Sequence, residues 1–216
     1  MSVLELGPDE LLTTTRAVRK RLDFTKPVPD DLVRECVAVA LQAPSGSNVI
    51  TMRFVVVRDP VKIAAIAGVY QQCWQIYSSL PVFAGAIKRD TDEMQAQQDR
   101  VVDSATYLAE HMAECPVLVI GCTSSRRLEG VPAAQAASAL GNIMPAMWSF
   151  MLAARARGLG TAWTTIHLMM EQAVADIIDV PFDTVQQVCL TPLAYTNGTD
   201  FKPARRPDPD TVIDWR

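Results

Sequence analysis

The stretch Pro29-Asp30-Asp31-Leu32-Val33-Arg34-Glu35-Cys36-Val37-Ala38-Val39-Ala40-Leu41-Gln42-Ala43-Pro44-Ser45-Gly46-Ser47-Asn48, followed shortly by Arg53-Phe54-Val55-Val56-Val57-Arg58, carries the most legible structural information in the chain. Proline and two acids open a helix, because proline tolerates the first turn and carboxylates favour the positive end of the helix dipole. Leu32, Val33, Cys36, Val37, Ala40 and Leu41 recur at helical spacing until Pro44 stops the pattern. A loop of small and polar residues follows, and Arg53 to Arg58 then reads as a β-branched strand closed by Asp59-Pro60.

Working outward, Pro8-Asp9-Glu10-Leu11-Leu12 predicts a first helix ending near Arg16. Residues 61–77 and 90–114 predict two further helices, broken around Pro81 and Gly85. Val117-Leu118-Val119-Ile120-Gly121-Cys122 is a continuous apolar run, expected of a central strand covered on both faces. Residues 133–157, rich in Ala, Met and Leu, predict a long buried helix kinked at Pro145 and ended by Gly158-Leu159-Gly160. Short strands at 161–165 and 185–193 flank a helix at 171–178, and the proline-bearing tail from Asn197 is irregular.

Bulk properties exclude several classes. The 216 residues, 49% hydrophobic and 20% charged, are of ordinary globular composition, and no linker divides them, so a single domain over 1–216 is expected. A net charge of −4 offers no general attraction for nucleic acid or anionic lipid, so an anion site must be built locally. The five cysteines, Cys36, Cys73, Cys115, Cys122 and Cys189, show no CxxC spacing and have only His111 and His167 as companions, which predicts buried thiols and no metal site. Met1-Ser2-Val3-Leu4-Glu5 lacks the pattern of a signal peptide, and no apolar stretch reaches the roughly 18 residues of a membrane span, so a cytoplasmic protein is expected.

Four cations fall within Arg16-Ala17-Val18-Arg19-Lys20-Arg21. By itself this is a solvated basic turn, since a helix C-terminus favours cations without any ligand. Ser45-Gly46-Ser47-Asn48 is likewise open to two readings, an ordinary helix-to-strand turn or a ligand loop in which glycine permits close backbone approach while serine and asparagine supply donors and acceptors.

Taken in order, the arginines, Pro27-Val28-Pro29, Ala43-Pro44-Ser45-Gly46-Ser47-Asn48 and Gly158-Leu159-Gly160-Thr161 resemble the FMN-dependent nitroreductase family, over essentially the whole chain and weakly between 68 and 114. The resemblance implies an α+β, nitroreductase-like fold with a central mixed or antiparallel sheet flanked by helices, an intertwined homodimer and FMN, reduced by NADPH or NADH in ping-pong fashion before a small electron-poor acceptor, nitroaromatic or quinone, takes the electrons. It implies that Arg16, Ala17 and Arg19 meet the phosphate and the O2 edge of the flavin, that Ser45, Gly46, Ser47 and Asn48 clamp the cofactor, and that Trp163, Thr164, Thr165, Ile166 and His167 lie beside the isoalloxazine. Arg205 or Arg206 reaches the phosphate in the same reading, and residues 68–114 form a helical lid. A guanidinium fork suits phosphate or the O2 edge, where positive charge also raises the flavin potential. His167 is the one side chain open to a general-acid role, although hydride transfer at N5 requires none. Thr15 and Ala17 stand where the family carries an arginine and a serine, and Thr51-Met52 replaces its frequent Pro-Trp. Two alternatives follow: FMN storage or sensing without turnover, and a reductase dedicated to one metabolite, such as a dehalogenase.

Overall fold

In the computed structural model, which describes residues 3–124 and 128–216, six helices surround a five-stranded sheet. Met1 and Ser2, part of the leader reading, lie outside the described residues. The helices are α1 (Pro8–Thr14), α2 (Asp30–Ala40), α3 (Pro60–Ser78), α4 (Asp92–His111), α5 (Ala133–Ala156) and α6 (Glu171–Ile177). The strands are β1 (Leu22–Asp23), β2 (Met52–Val57), β3 (Val117–Ser124), β4 (Leu159–Thr161) and β5 (Val185–Thr196). Every ladder is antiparallel, in the order β1-β5-β3-β2 with β4 also on β5.

Strand β3 shows why its sequence is apolar without alternation. Leu118, Ile120 and Cys122 enter a core with residues of α3, α4 and α6, whereas Val117 and Val119 enter a second core with α2 and α5. Successive side chains point to opposite faces of a strand, so both parities must be apolar when both faces are covered. All five cysteines are buried, as their apolar surroundings predict, and burial pushes the thiols of Cys115, Cys122 and Cys189 up to about 12, leaving them unreactive at neutral pH.

Three boundaries depart from the sequence expectation. Helix α1 stops at Thr14, where Thr13, Thr14 and Thr15 turn their hydroxyls back onto carbonyls four residues earlier, so residues 16–21 form a bridge and turn beyond the helix and the dipole does not account for their charge. The strand expected at 161–165 is instead Leu159–Thr161, and only the single bridge Thr164 to Leu190 continues the pairing. Helix α5 runs through Pro145 without interruption. By length and a mean hydropathy of 1.2 it could also cross a membrane, against the expectation that no apolar stretch is long enough, because Gln135, Ser138 and Asn142 dilute the run without lowering its average enough. Its apolar residues are accounted for by packing: Ile143, Ala146, Met147, Phe150 and Ala154 are fully buried.

Two glycines set the path from α5 toward the N-terminal arginines. Gly158 takes φ +74°, a left-handed conformation that ends the helix at little cost only for glycine. At Gly160 a Cβ would lie 2.7 Å from Leu22 Cδ2, 2.7 Å from Thr196 Cγ2 and 3.0 Å from Val18 Cβ. The N-terminal segment and β5 thus close on β4 from both sides. Gly160→Ala is expected to destabilise the protein by about 1–3 kcal/mol, since two of the three neighbours are β-branched and cannot swing away; urea unfolding measures it, and an unchanged midpoint would mean that the gap relaxes freely.

Candidate functional site

The close approach at Gly160 is continued by hydrogen bonding. Ala17 bridges Thr161 in parallel, and Val18 N–H donates to the Thr161 carbonyl at 2.8 Å. This pins the arginines beside the chain leaving β4, which turns through residues 162–165 into the 3-10 helix Ile166–Met170. Two cavities meet there, sharing Arg19 and Val101.

The first, of about 340 Å³, is walled mainly by apolar and aromatic groups: Tyr70, Trp74 and Tyr77 of α3, Val102 and Leu108 of α4, and residues 162–166. Trp74, Tyr77 and Phe83 pack edge to face or tilted, with ring centroids 5.3–5.9 Å apart, and the Tyr77 hydroxyl accepts from Ala84 N–H at 3.1 Å, which together fix one wall. Tyr70 is 3% exposed, and its hydroxyl lies 2.9 Å from Thr164 Oγ1. The second cavity, of about 400 Å³, is cationic: Arg16, Arg19, Arg100 and Arg205 face it with Glu93, Gln97 and Ser104.

Each arginine is held differently. Arg16 donates from Nη1 to the Lys202 carbonyl at 2.8 Å and is otherwise exposed. Arg19 donates to Ser104 Oγ at 3.2 Å, and burial lowers its pKa from the ordinary value, opposed by nearby Tyr70. It stays protonated, but as a poorly solvated cation that gains from any anion brought near. Arg205 pairs with Glu93 of α4. The tail that presents it is anchored upstream, where Arg21 pairs with Asp200 at 2.6 Å and Arg155 donates to the Thr199 carbonyl at 3.0 Å. Lys20 to Asp103 at 2.5 Å adds another tie to α4.

Of the residues singled out from sequence, Arg16, Ala17, Arg19, Trp163, Thr164, Thr165, Ile166 and Arg205 line these two cavities. Arg206 is exposed and lines neither. Ser45, Gly46, Ser47 and Asn48 also line neither: the loop forms the 3-10 turn Gly46–Asn48 against α5, with Gly46 N–H donating to Asn142 Oδ1 at 2.6 Å and Asn142 donating to Thr51 Oγ1 at 3.1 Å. Ser47 and Asn48 adopt φ 54° and 55°, conformations that serine and asparagine tolerate at a local cost, and the loop is largely solvent-facing. Sequence reasoning missed Arg100, Gln97 and Ser104, which stand on one face of α4 but lie in a polar stretch with no motif to mark them.

His167 lies apart from both cavities. It is fully buried, lines neither cavity, and neither ring nitrogen has a hydrogen-bond partner among the described residues. Burial lowers its pKa to about 4, with Glu171 opposing, so the ring is neutral at working pH and has no route to a substrate.

With that geometry in place, comparisons with known proteins converge. The nitroreductase family model matches residues 12–195. The fold is similar to a variant of the FMN- and NADPH-dependent nitroreductase NfnB of Sphigopyxis sp. strain HMH, at 20% identity over 98% of this chain and 99% of that one with a TM-score of 0.70. Iodotyrosine deiodinase bound to FMN and 3-iodo-L-tyrosine matches at 18% identity, over 93% of this chain and 94% of that one, with a TM-score of 0.67. A nitroreductase with bound FMN from Desulfitobacterium hafniense DCB-2 matches at 16% identity, over 95% and 96%, with a TM-score of 0.65. At these identities the likeness is one of fold.

The state of His167 predicts a pH dependence of stability. Above about pH 6.5 the ring is neutral in both folded and unfolded chains and contributes no slope. Between about 6.5 and 4 the unfolded chain takes up a proton that the folded chain excludes, so stability falls as pH falls through this window. Denaturation curves across it are expected to show His167→Leu losing less stability than the parent, by on the order of 3 kcal/mol at the acid end; parallel losses would mean that the ring is protonated in the folded protein.

Proposed function

The chain belongs to the nitroreductase family, and from that premise we propose that it is an FMN-dependent oxidoreductase that takes electrons from NADPH or NADH and delivers them to a small electron-poor acceptor of the nitroaromatic or quinone type. The observation that carries this reading is the pair of joined cavities: four guanidinium groups at one end, a flat aromatic and apolar enclosure at the other, with Arg19 at the junction. A ligand with a phosphate dianion at one end and a fused aromatic ring at the other fits that donor set. When bound, FMN supplies hydride acceptance and donation at N5.

The chain's own part is binding and electrostatics. Arg16 and Arg205 offer forks to the phosphate, and Arg19 places positive charge where the reduced pyrimidine edge becomes anionic. Ala17 and residues 163–166 give the cofactor a wall of backbone and apolar surface, and residues 68–114, through α4, act as the lid that excludes water. No side-chain acid is needed, and buried, neutral His167 supplies none.

The loop at 45–48 enters this scheme through a second copy of the chain. It is fixed to α5 beside an exposed stripe of Ala137, Gly141, Met144 and Trp148, spaced to fall on one helix face. Met144 and Trp148 are 45% and 40% exposed, an apolar face with small residues that permit close helix approach. We assign this face to a homodimer in which Ser45, Gly46, Ser47 and Asn48 of one protomer complete the cofactor site of its partner.

Reconstitution with FMN, followed by stopped-flow mixing with NADPH, tests the activity. Retained yellow colour, rapid bleaching and reoxidation by a nitroaromatic or quinone are expected. A protein that keeps no FMN would refute the flavin reading, while bound flavin that NADPH and NADH leave oxidised would make it a storage module. Arg19→Ala is expected to weaken FMN binding or lower the flavin potential by about 1–3 kcal/mol, the value of one charge-assisted hydrogen bond. For assembly, Trp148→Glu is expected to shift sedimentation from dimer to monomer, because it buries an unpaired charge at the proposed interface; an unchanged dimer would move the interface elsewhere.

A further inference from the structure

One guanidinium in the cationic cavity belongs to neither terminal motif. Arg100 lies on α4, and Glu93, Gln97, Arg100, Val101 and Ser104 fall on the same face of that helix and turn toward Arg16, Arg19 and Arg205. Arg16 has one nitrogen engaged with the Lys202 carbonyl, Arg19 is engaged with Ser104, and Arg205 is paired with Glu93. Arg100 makes no hydrogen bond or ion pair among the described residues, so its whole fork of donors is free.

Position 15, by contrast, contributes nothing to the cavity. Thr15 donates its hydroxyl to the Leu11 carbonyl at 2.7 Å, turned back onto α1, and it is not among the cavity residues. The charge balance points the same way. With Glu93 neutralising Arg205 and Arg19 assigned to the pyrimidine edge, a phosphate dianion of about −1.5 to −2 charge meets the uncompensated charge of Arg16 alone unless Arg100 joins it.

We infer that Arg100, on the lid helix, is a ligand of the FMN phosphate and supplies from α4 a positive charge that neither terminal motif carries. The inference rests on the flavin reading above. It gives the lid a second role: the cofactor phosphate ties α4 to the N-terminal segment, so cofactor affinity and lid position are set by the same contact. Sequence order hides this, because α4 lies far along the chain from the N-terminal arginines, as Ser104 does from the Arg19 it binds, 85 positions away.

The experiment compares two probes that differ only in the phosphate. FMN and riboflavin are titrated separately into the full-length apoprotein, its Arg100→Ala variant and its Arg100→Lys variant, following flavin fluorescence. Arg100→Ala is expected to weaken FMN roughly tenfold or more while leaving riboflavin affinity within about twofold, and Arg100→Lys to recover part of the loss, since lysine keeps the charge but not the fork. Alanine favours the helix, and an unchanged riboflavin affinity itself reports an intact site. Unchanged FMN affinity overturns the inference. So does an equal loss for both flavins, which would make Arg100 a packing residue. A parent protein that binds neither flavin refutes instead the cofactor reading on which the inference stands.

Discussion

The close approach at Gly160 is the constraint on which the site depends. Three chain segments meet there with no room for a single methyl group: the N-terminal segment at Val18, the start of β1 at Leu22, and the end of β5 at Thr196. Because Ala17 and Val18 must lie flat against β4, Arg16 and Arg19 are carried to the rim of the cavity by backbone register rather than by any attraction of their own. The same strand then turns into residues 163–166, the wall of the other cavity. One packing contact thus sets the separation between a charged end and an aromatic end, which is what a phosphate-bearing flavin requires.

Gathering guanidinium groups around one cavity is unfavourable unless something compensates it, because like charges repel and Arg19 is also partly stripped of water. The protein compensates locally. Glu93 takes Arg205, Ser104 takes one donor of Arg19, and Asp103 takes Lys20. All three compensating groups lie on α4. The helix that covers the cavity is therefore the one whose position most affects the electrostatics inside it, whereas the overall charge of −4 carries no trace of the arrangement.

The parts legible in the sequence were those set by local rules. Pro29 and the two acids after it begin α2, and the burial of β3 on both faces follows from its unbroken apolar run, so both elements lie where short-range physics places them. The end of α1 was misplaced because three consecutive threonines bond back to their own helix, a competition that periodicity cannot rank. His167 drew attention by residue type, and only its burial removes it. Arg100 had no local signature, since a polar helix of mixed charge reads the same whether one face is solvated or turned toward a ligand. The order of motifs along the chain carried the family, but not which residues share a cavity.

The loop at 45–48 is where motif and cavity part, and the parting has a thermodynamic consequence. Within one chain the loop is built to stay where it is: Asn142 binds the Gly46 amide and Thr51, and an added Cβ at Gly46 would come within 3.3 Å of Asn142 Oδ1. A loop braced in this way on α5 lies away from Arg19, and in the homodimer proposed above the two halves of the motif meet when the partner supplies one of them. Cofactor binding and dimerisation then share a single free energy. Each FMN bound stabilises the pair over the separated chains, and affinity for FMN rises with protein concentration. Phosphate contacts from Arg16, Arg205 and Arg100 remain intramolecular in this scheme, which separates the charge recognition carried by one chain from the clamp carried by two.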